Sequence, residues 1–334
     1  MITSCLRKSL AKKEETDYNK NGVDIMKKDK KSCLIIKIVA GFLCAIFVLV
    51  AAVGAADFCY YSKYKKSTES FDVSKVKSSG TINIMSVNVR TWSPTDTGKK
   101  SWFYRADLIV KNIASVEPDI IGFQEVTRMH YRFLTKALKG YDNILQYRDN
   151  SKLSEGCPVF YNTSRFDLKD KGSFWLSETP DKMSKDWGAA CYRICSYVIL
   201  TDKTTDKDLV VFNTHLDHVS DEARINGIKV VLEKIKQFGA LPSIIMGDFN
   251  ADESSSTYKA ATEMFLDAKY QTVNTQKGCT YQAFGKALDR ENIDYFMISK
   301  TGIKVSEYRI IDTTYDGVYP SDHFSIAVKI IIET

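Results

Sequence analysis

Apolar and polar positions change period repeatedly along this chain. Residues 81–87 (TINIMSV) alternate, which predicts a strand that delivers Asn88 at its end. Over 103–116, Leu108, Ile109, Ile113 and Val116 recur at helical spacing, and Glu117-Pro118 closes the helix. DIIGFQ (119–124) reads as a second strand and delivers Glu125. A helix is predicted over 129–139, then strands over 157–161 and 193–200. Residues 209–214 form a strand ending at His215, followed by an amphipathic helix over 222–237 with Ile225, Ile228, Leu232 and Ile235 on one face. SIIM (243–246) is a short apolar run that stops at Gly247, with Asp248 and Asn250 directly after it. A helix near 257–267 and strands over 293–299 and 324–332 complete the pattern. Runs such as SIIM and FMI suit strands covered on both faces. Strands interspersed with helices predict an α/β domain with helices over sheet.

The N-terminal part has a different pattern. Residues 38–56 are 19 uninterrupted apolar positions, enough to cross a bilayer. Lys27, Lys28, Lys30, Lys31 and Lys37 flank the run on one side, and Lys63, Lys65 and Lys66 on the other. The positive-inside rule then places the N-terminus in the cytoplasm and the remainder outside. Val53-Gly54-Ala55 would suit a signal-peptide cleavage site, but the polar stretch before the run is long for a signal peptide. The expected organisation is a Lys-rich cytoplasmic arm (1–32), a transmembrane signal-anchor (33–58), a Ser/Lys-rich juxtamembrane linker (59–79) and a catalytic domain (80–334). The membrane is thus an expected partner, through one N-terminal helix; no obligate protein partner is evident.

Charge follows the same division. The chain carries a net +6, but residues 1–79 hold 15 Lys/Arg against 8 Asp/Glu, and residues 80–334 hold 32 against 33. A near-neutral domain lacks the overall footprint of a strong nucleic-acid binder, although a local basic groove remains open. The eight cysteines form no CxxC zinc pattern, and Cys191 and Cys195 are too far apart along a strand to bond easily.

The strand ends carry the chemistry. In an extended chain Asp248 and Asn250 point the same way, with Phe249 opposite. A carboxylate and an amide there suit a hard cation, an attacking water or a phosphate edge. The motif does not stand alone: Asn88, Glu125, His215, Asp294 and the pair Asp322-His323 also close strand-like runs. His130 and His218 lie outside that pattern, though His218 follows Asp217 in THLDH. Arg193 would neutralise a phosphate or make a structural ion pair, and Trp187 and Tyr192 would stack on a base or fill core.

IMSVNV, DIIGFQEV, VFNTHLDH, IIMGDFNAD, NIDYFMIS and PSDHFSI occur here in the order seen in the endonuclease/exonuclease/phosphatase superfamily. The chain resembles that group over roughly 82–332, nearest to secreted or membrane-tethered bacterial members and the nocturnin/deadenylase-like branch. The resemblance implies a four-layer α/β sandwich, two mixed sheets flanked by helices, and a Mg²⁺- or Mn²⁺-dependent phosphoesterase. It implies Asn88, Glu125 and Asp322 at the metal, Asp248 orienting or deprotonating the water, and Asn250 holding substrate or metal-bound water. It further implies His323 as the catalytic imidazole oriented by Asp294, and His215 as donor to the non-bridging oxygens. Arg193 and His218 are weaker substrate candidates. The motifs lean toward a nuclease of exoribonuclease type; a phospholipid headgroup such as sphingomyelin and a small phosphate ester are the alternative substrates. A tethered binding domain with a degenerate site is the non-enzymatic alternative, and the competent residue types at these positions argue against it.

Overall fold

The computed structural model describes residues 33–56, 59, 70–76 and 79–333. The predicted arm (1–32) and most of the predicted linker lie outside the described residues. The chain divides into two units, Met1–Cys59 and Tyr60–Thr334. In the first, helix α1 spans Cys33–Ala56, 24 residues whose most apolar window has a mean hydropathy of 2.9. It is apolar all round, with Leu34, Phe42 and Phe47 exposed, and is long enough to cross a membrane.

The second unit starts earlier than the charge pattern suggested. Phe71–Asp72 forms strand β1, which pairs in parallel with Leu138–Lys139, and Phe71 is buried in the core. After it come β2 (Ile82–Asn88), α2 (Trp102–Val116), β3 (Ile120–Gln124), α3 (Arg128–Ala137), β4 (Leu138–Lys139), β5 (Tyr141–Ile144), β6 (Val159–Asn162) and β7 (Phe166–Trp175). The remainder comprises β8 (Ile194–Asp202), β9 (Lys207–His215), α4 (Asp221–Lys236), β10 (Ser243–Asp248), α5 (Ser256–Met264), β11 (Phe265–Asp267), β12 (Asp294–Ser299), β13 (Ile303–Ile311) and β14 (Ser325–Ile332). Two six-stranded mixed sheets result, ordered β13-β14-β2-β3-β6-β5 and β11-β12-β10-β9-β8-β7.

The expected four layers are present, and strand alternation builds them. Ile84, Ile120, Ile244 and Met246 enter a core shared by the two sheets. Their sequence neighbours face outward: Met85 and Ile121 pack with Ile109, Ile113 and Leu134 of α2 and α3. Ile245 packs with Ile228, Val231 and Leu232 of α4 and Ala261 of α5. Each buried aliphatic side chain contributes about 1.5–3 kcal/mol. Near the site end the inter-sheet layer becomes polar. Gln124 Nε2 donates to Asn213 Oδ1 (2.7 Å) and Ser86 Oγ (3.1 Å), and Asn213 Nδ2 donates to the carbonyls of Phe123 (2.8 Å) and Pro158 (2.9 Å). Gly122 makes room for this contact, since a Cβ there would press into Asn213 and Met246.

Two predicted helices end sooner than their apolar periodicity implied. The first stops at Ala137 because Leu138–Lys139 pairs with β1, and the last at Met264 because Phe265–Asp267 joins β12. Strands β5, β7 and β13 were not predicted.

Candidate active site

The second sheet contributes three side chains through backbone register alone. Asp248 lies opposite His215 on the parallel strand β9 and opposite Asp294 on the antiparallel strand β12. One cross-strand row therefore carries two acids and an imidazole. Gly247 permits the row to close: its φ is +136°, and a Cβ would collide with the Thr214 carbonyl. Asp248 Oδ1 accepts the Asn250 backbone N–H at 2.8 Å, and Asn250 itself sits at φ +49°. Its side-chain amide donates to the Leu216 carbonyl at 3.2 Å, which anchors that end of the residue.

The first sheet supplies its residues through turns. Asn88 ends β2, opposite Gln124 on β3, and Glu125 follows in the left-handed region at φ +64°. Arg90 is also left-handed, at φ +58°. Left-handed backbone at non-glycine residues is costly and concentrates where function fixes it. Asn88 Nδ2 donates to Glu125 Oε1 (3.1 Å) and Asp248 Oδ2 (3.0 Å), while its Oδ1 accepts the Arg90 N–H at 2.9 Å. The residue expected to offer a carbonyl to a metal thus turns its amino group to the two carboxylates, which attract that donor. Asp322 faces Arg90, Nη1 to Oδ2 3.6 Å, with Ser321 Oγ 3.3 Å from its other oxygen.

The two halves meet at Asp248 Oδ2. Asn88 Nδ2 lies 3.0 Å from it, His215 Nε2 3.4 Å and His323 Nε2 3.7 Å. His323 Nδ1 is 2.9 Å from Asp294 Oδ2, although 29 residues separate the pair in sequence. That bond fixes the ring, so Nε2 is the nitrogen presented to the site. Burial, with the Asp294 carboxylate beside it, pushes the Asp248 carboxyl up to about 7. Burial favours a neutral His323 ring, but Asp294 and Asp248 outweigh it and hold the imidazole well above its ordinary range. His215 goes the other way: burial and the Arg193 and Arg148 guanidiniums keep it neutral. For Glu125 burial acts upward, yet the Thr91 N–H and His323 hold the carboxyl below its ordinary value.

This donor set fits a hard divalent cation. Ligand atoms of Glu125, His215 and Asp248 lie within 4.8 Å of one another, as do those of Asp248, Asp294 and His323. Carboxylate oxygens dominate both groups and no thiolate takes part, which suits Mg²⁺ or Mn²⁺.

Beside Glu125 and His215 is a recess with about 190 Å³ of empty space, lined by Arg148, Glu155, Cys157 and Arg193. Arg193 is only 6% exposed, and its Nε makes no hydrogen bond but lies 3.9 Å from Asp217 Oδ2; the Arg148 Nε makes none either and lies 3.6 Å from Asp149 Oδ2. Arg148 Nη1 pairs with Glu155 at 2.7 Å, and Arg193 Nη2 contacts His218 Nδ1 at 3.1 Å. His218 is otherwise exposed. His130 is a structural residue: its Nδ1 receives the Thr127 N–H at 3.1 Å at the start of α3, and its ring packs on Trp102. Arg148, Glu155 and Arg90 were missed in the sequence. The first two stand in an irregular loop with no motif, and Arg90 was hidden beside the motif residue Asn88.

A buried acid–imidazole pair facing a metal-competent carboxylate cluster, between the sheets of a four-layer sandwich, defines a phosphoesterase hydrolase. The model of the endonuclease/exonuclease/phosphatase family matches residues 80–323, and the chain belongs to that family. Among solved structures it is similar to the Bacteroides thetaiotaomicron mannosyl-6-phosphatase, at 32% identity and a TM-score of 0.70, over 75% of this chain and all of that one. Among curated proteins it is similar to nocturnin of Xenopus laevis, 25% identical over 67% of this chain and 63% of that protein. It is also similar to the CCR4-Not complex 3'-5'-exoribonuclease subunit Ccr4 of Yarrowia lipolytica, 23% identical over 73% of this chain. The chain spans 42% of the length of that subunit.

Proposed function

We propose that this protein hydrolyses a terminal phosphate ester, on a small molecule or at the end of a larger one, with Mg²⁺ or Mn²⁺. One observation carries the reading: donors from both sheets converge on a single oxygen of Asp248. The cation, held by Glu125, would supply Lewis-acid charge at the phosphoryl oxygens. Asp248 orients the attacking water and takes its proton at Oδ2 as the water oxygen bonds to phosphorus. His323 Nε2, kept protonated by Asp294, donates to the phosphoryl group as charge builds there; the ester P–O bond breaks and the departing oxygen leaves as the alcohol, with a proton from solvent. His215, neutral and buried, donates to a non-bridging oxygen; such a donor is worth about 3–4 kcal/mol of barrier. Asn250 ties the turn after Asp248 to the Leu216 carbonyl, next to His215.

The recess supports an end group over an internal phosphate. The guanidiniums of Arg148 and Arg193 that line it suit the extra charge of a terminal phosphate. The full-length similarity to a mannosyl-6-phosphatase favours a sugar-phosphate-like monoester. The similarity to a 3'-5'-exoribonuclease favours a second reading, removal of nucleotides from a short single-stranded end.

A panel of mannose 6-phosphate, single-stranded RNA, sphingomyelin vesicles and bis-p-nitrophenyl phosphate tests this, with and without chelator. The expected result is chelator-sensitive turnover, fastest on the monoester, and a raised metal requirement in Glu125→Gln. Turnover untouched by chelator, or confined to long duplex DNA, would overturn it.

We further propose that α1 anchors the chain in a membrane with the N-terminus inside and residues 80–334 outside. The excess of lysine before the helix supports that orientation. Protease added to intact cells should then reach the catalytic unit; protection until lysis would reverse the orientation.

A further inference from the structure

Backbone pairing between β14 and β2 ends at Ile326–Ser86. Asn88 lies two residues past that point and His323 three residues before it, so the ladder does not hold the two segments together at the site. Arg105 of α2 stands there. Its Nη1 donates to the Val89 carbonyl at 2.9 Å and to the Pro320 carbonyl at 2.7 Å, a bridge between positions 231 residues apart. Nη2 reaches the Arg90 carbonyl at 3.4 Å, and Nε donates to the Lys100 carbonyl at 2.7 Å. The side chain is 0% exposed, with its guanidinium 5.8 Å from the Trp102 ring and 5.5 Å from the Phe284 ring. All four bonds run to backbone carbonyls, so the fork is spent on loop geometry. Lysine, a point charge on a flexible stem, lacks the planar fork needed to reach these segments together.

We propose that Arg105 is a positioning residue that fixes the spacing between the Asn88–Glu125 side of the site and the Asp322–His323 side. Val89 is the residue after Asn88, and Pro320 lies two residues before Asp322. Residues 280–283 brace the second segment from its other side: Gln282 Nε2 donates to the Ser321 carbonyl at 2.7 Å, and the Gln282 and Ala283 N–H groups donate to the Asp322 carbonyl at 2.9 and 3.0 Å. Arg105 is the clamp on the side facing Asn88. Burial lowers the guanidinium to about 10, against the pull of Asp322 and Asp96, which leaves it charged at neutral pH. The inference rests on the phosphoesterase reading of the site.

The test uses the full chain, the monoester p-nitrophenyl phosphate and Mn²⁺. Arg105→Lys keeps the charge and loses the fork. In the folded variant, kcat should fall roughly 100-fold with KM changed less than about threefold, since a misplacement near 1 Å costs that much. Mn²⁺ affinity, read from the paramagnetic signal of the free ion and not from turnover, should weaken about tenfold, as for other supports of metal ligands. Free guanidinium added to Arg105→Ala should restore part of kcat. Phe284→Leu loosens the guanidinium without removing it, and keeps the test decisive if the Arg105 variants do not fold. It should lower kcat severalfold at unchanged circular dichroism. Wild-type kcat and Mn²⁺ affinity in folded Arg105→Lys, or in Phe284→Leu where Arg105→Lys does not fold, would overturn the inference. A wild-type chain without chelator-sensitive turnover would instead remove the reading of the site.

Discussion

The two sheets build their halves of the site by different means. His215, Asp248 and Asp294 sit in one cross-strand row, placed by ladder hydrogen bonds that continue into the core. Asn88, Glu125, Asp322 and His323 lie at strand ends or in turns, held by left-handed residues and side-chain bonds. One half is therefore a property of register and the other a property of loop geometry. The register half is stiff, and a local change in it must propagate along a strand. The loop half is adjustable and needs separate fastenings, of which the Asp294–His323 bond, alongside the Asn88–Asp248 bond, joins it to the row.

The largest test breaks that joint. His323→Ala should lower kcat by about 10²–10⁴-fold, the usual range for a lost general acid or base. Adding Asp294→Ala should then cost little more, because the pair acts as a unit. Losses that multiply would show that Asp294 serves the row independently of the imidazole. A smaller effect comes from the row itself. Gly247→Ala places a Cβ against the Thr214 carbonyl at a φ of +136°, and should destabilise the fold by at least about 1–3 kcal/mol. Urea titration measures that cost. Turnover per folded molecule should fall as well, since Asp248 is the next residue. Retained stability and turnover would show that the row bends more easily than its register implies.

The last test concerns charge in the row. The folded Asp248 carboxyl keeps its proton up to about 7, whereas an unfolded one releases it near about 4. Between those values the unfolded chain binds fewer protons, so metal-free stability falls as pH rises, by at most about 1.4 kcal/mol per unit. Asp248→Asn should lack this slope. Denaturant midpoints of the two proteins from pH 4 to pH 8 compare them, and parallel curves would mean that Asp248 is already ionised in the fold.

The same contrast explains what was legible in the sequence. Strands covered on both faces announce themselves as apolar runs, so β3, β9, β10 and the polar residues at their ends could be placed from spacing alone. The family motifs then assembled Asn88, Glu125, His215, Asp248, Asp294 and His323 into one site, and the folded chain does bring them together. Edge strands were not legible. Strand β7, FDLKDKGSFW, exposes much of its length and has an irregularity between Leu168 and Asp170, so no alternation survives. Strand β13 is broken likewise between Val305 and Glu307. Phe71 is one of a few apolar residues, with Val73 and Val76, in a Ser/Lys-rich stretch, where no pattern marks it as core. Arg105 reads as a polar position on an amphipathic helix, yet it lies on the buried face with Leu108 and Ile109. Arg148 and Glu155 owe their place to a loop path, which one-dimensional periodicity does not encode.

The amide contact between the sheets makes the fold a proofreader. Suppose β3 paired one residue out of step with β2. Gln124 would swing to the helix side, Phe123 would enter the layer beside Asn213, and the buried Asn213 Oδ1 would lose the Gln124 donor. A buried polar group left unpaired costs about 1–3 kcal/mol, which disfavours the slipped sheet. The residue checked in this way is the immediate neighbour of Glu125. A chain that passes has, by the same step, set the Glu125 carboxylate at its height above the sheet.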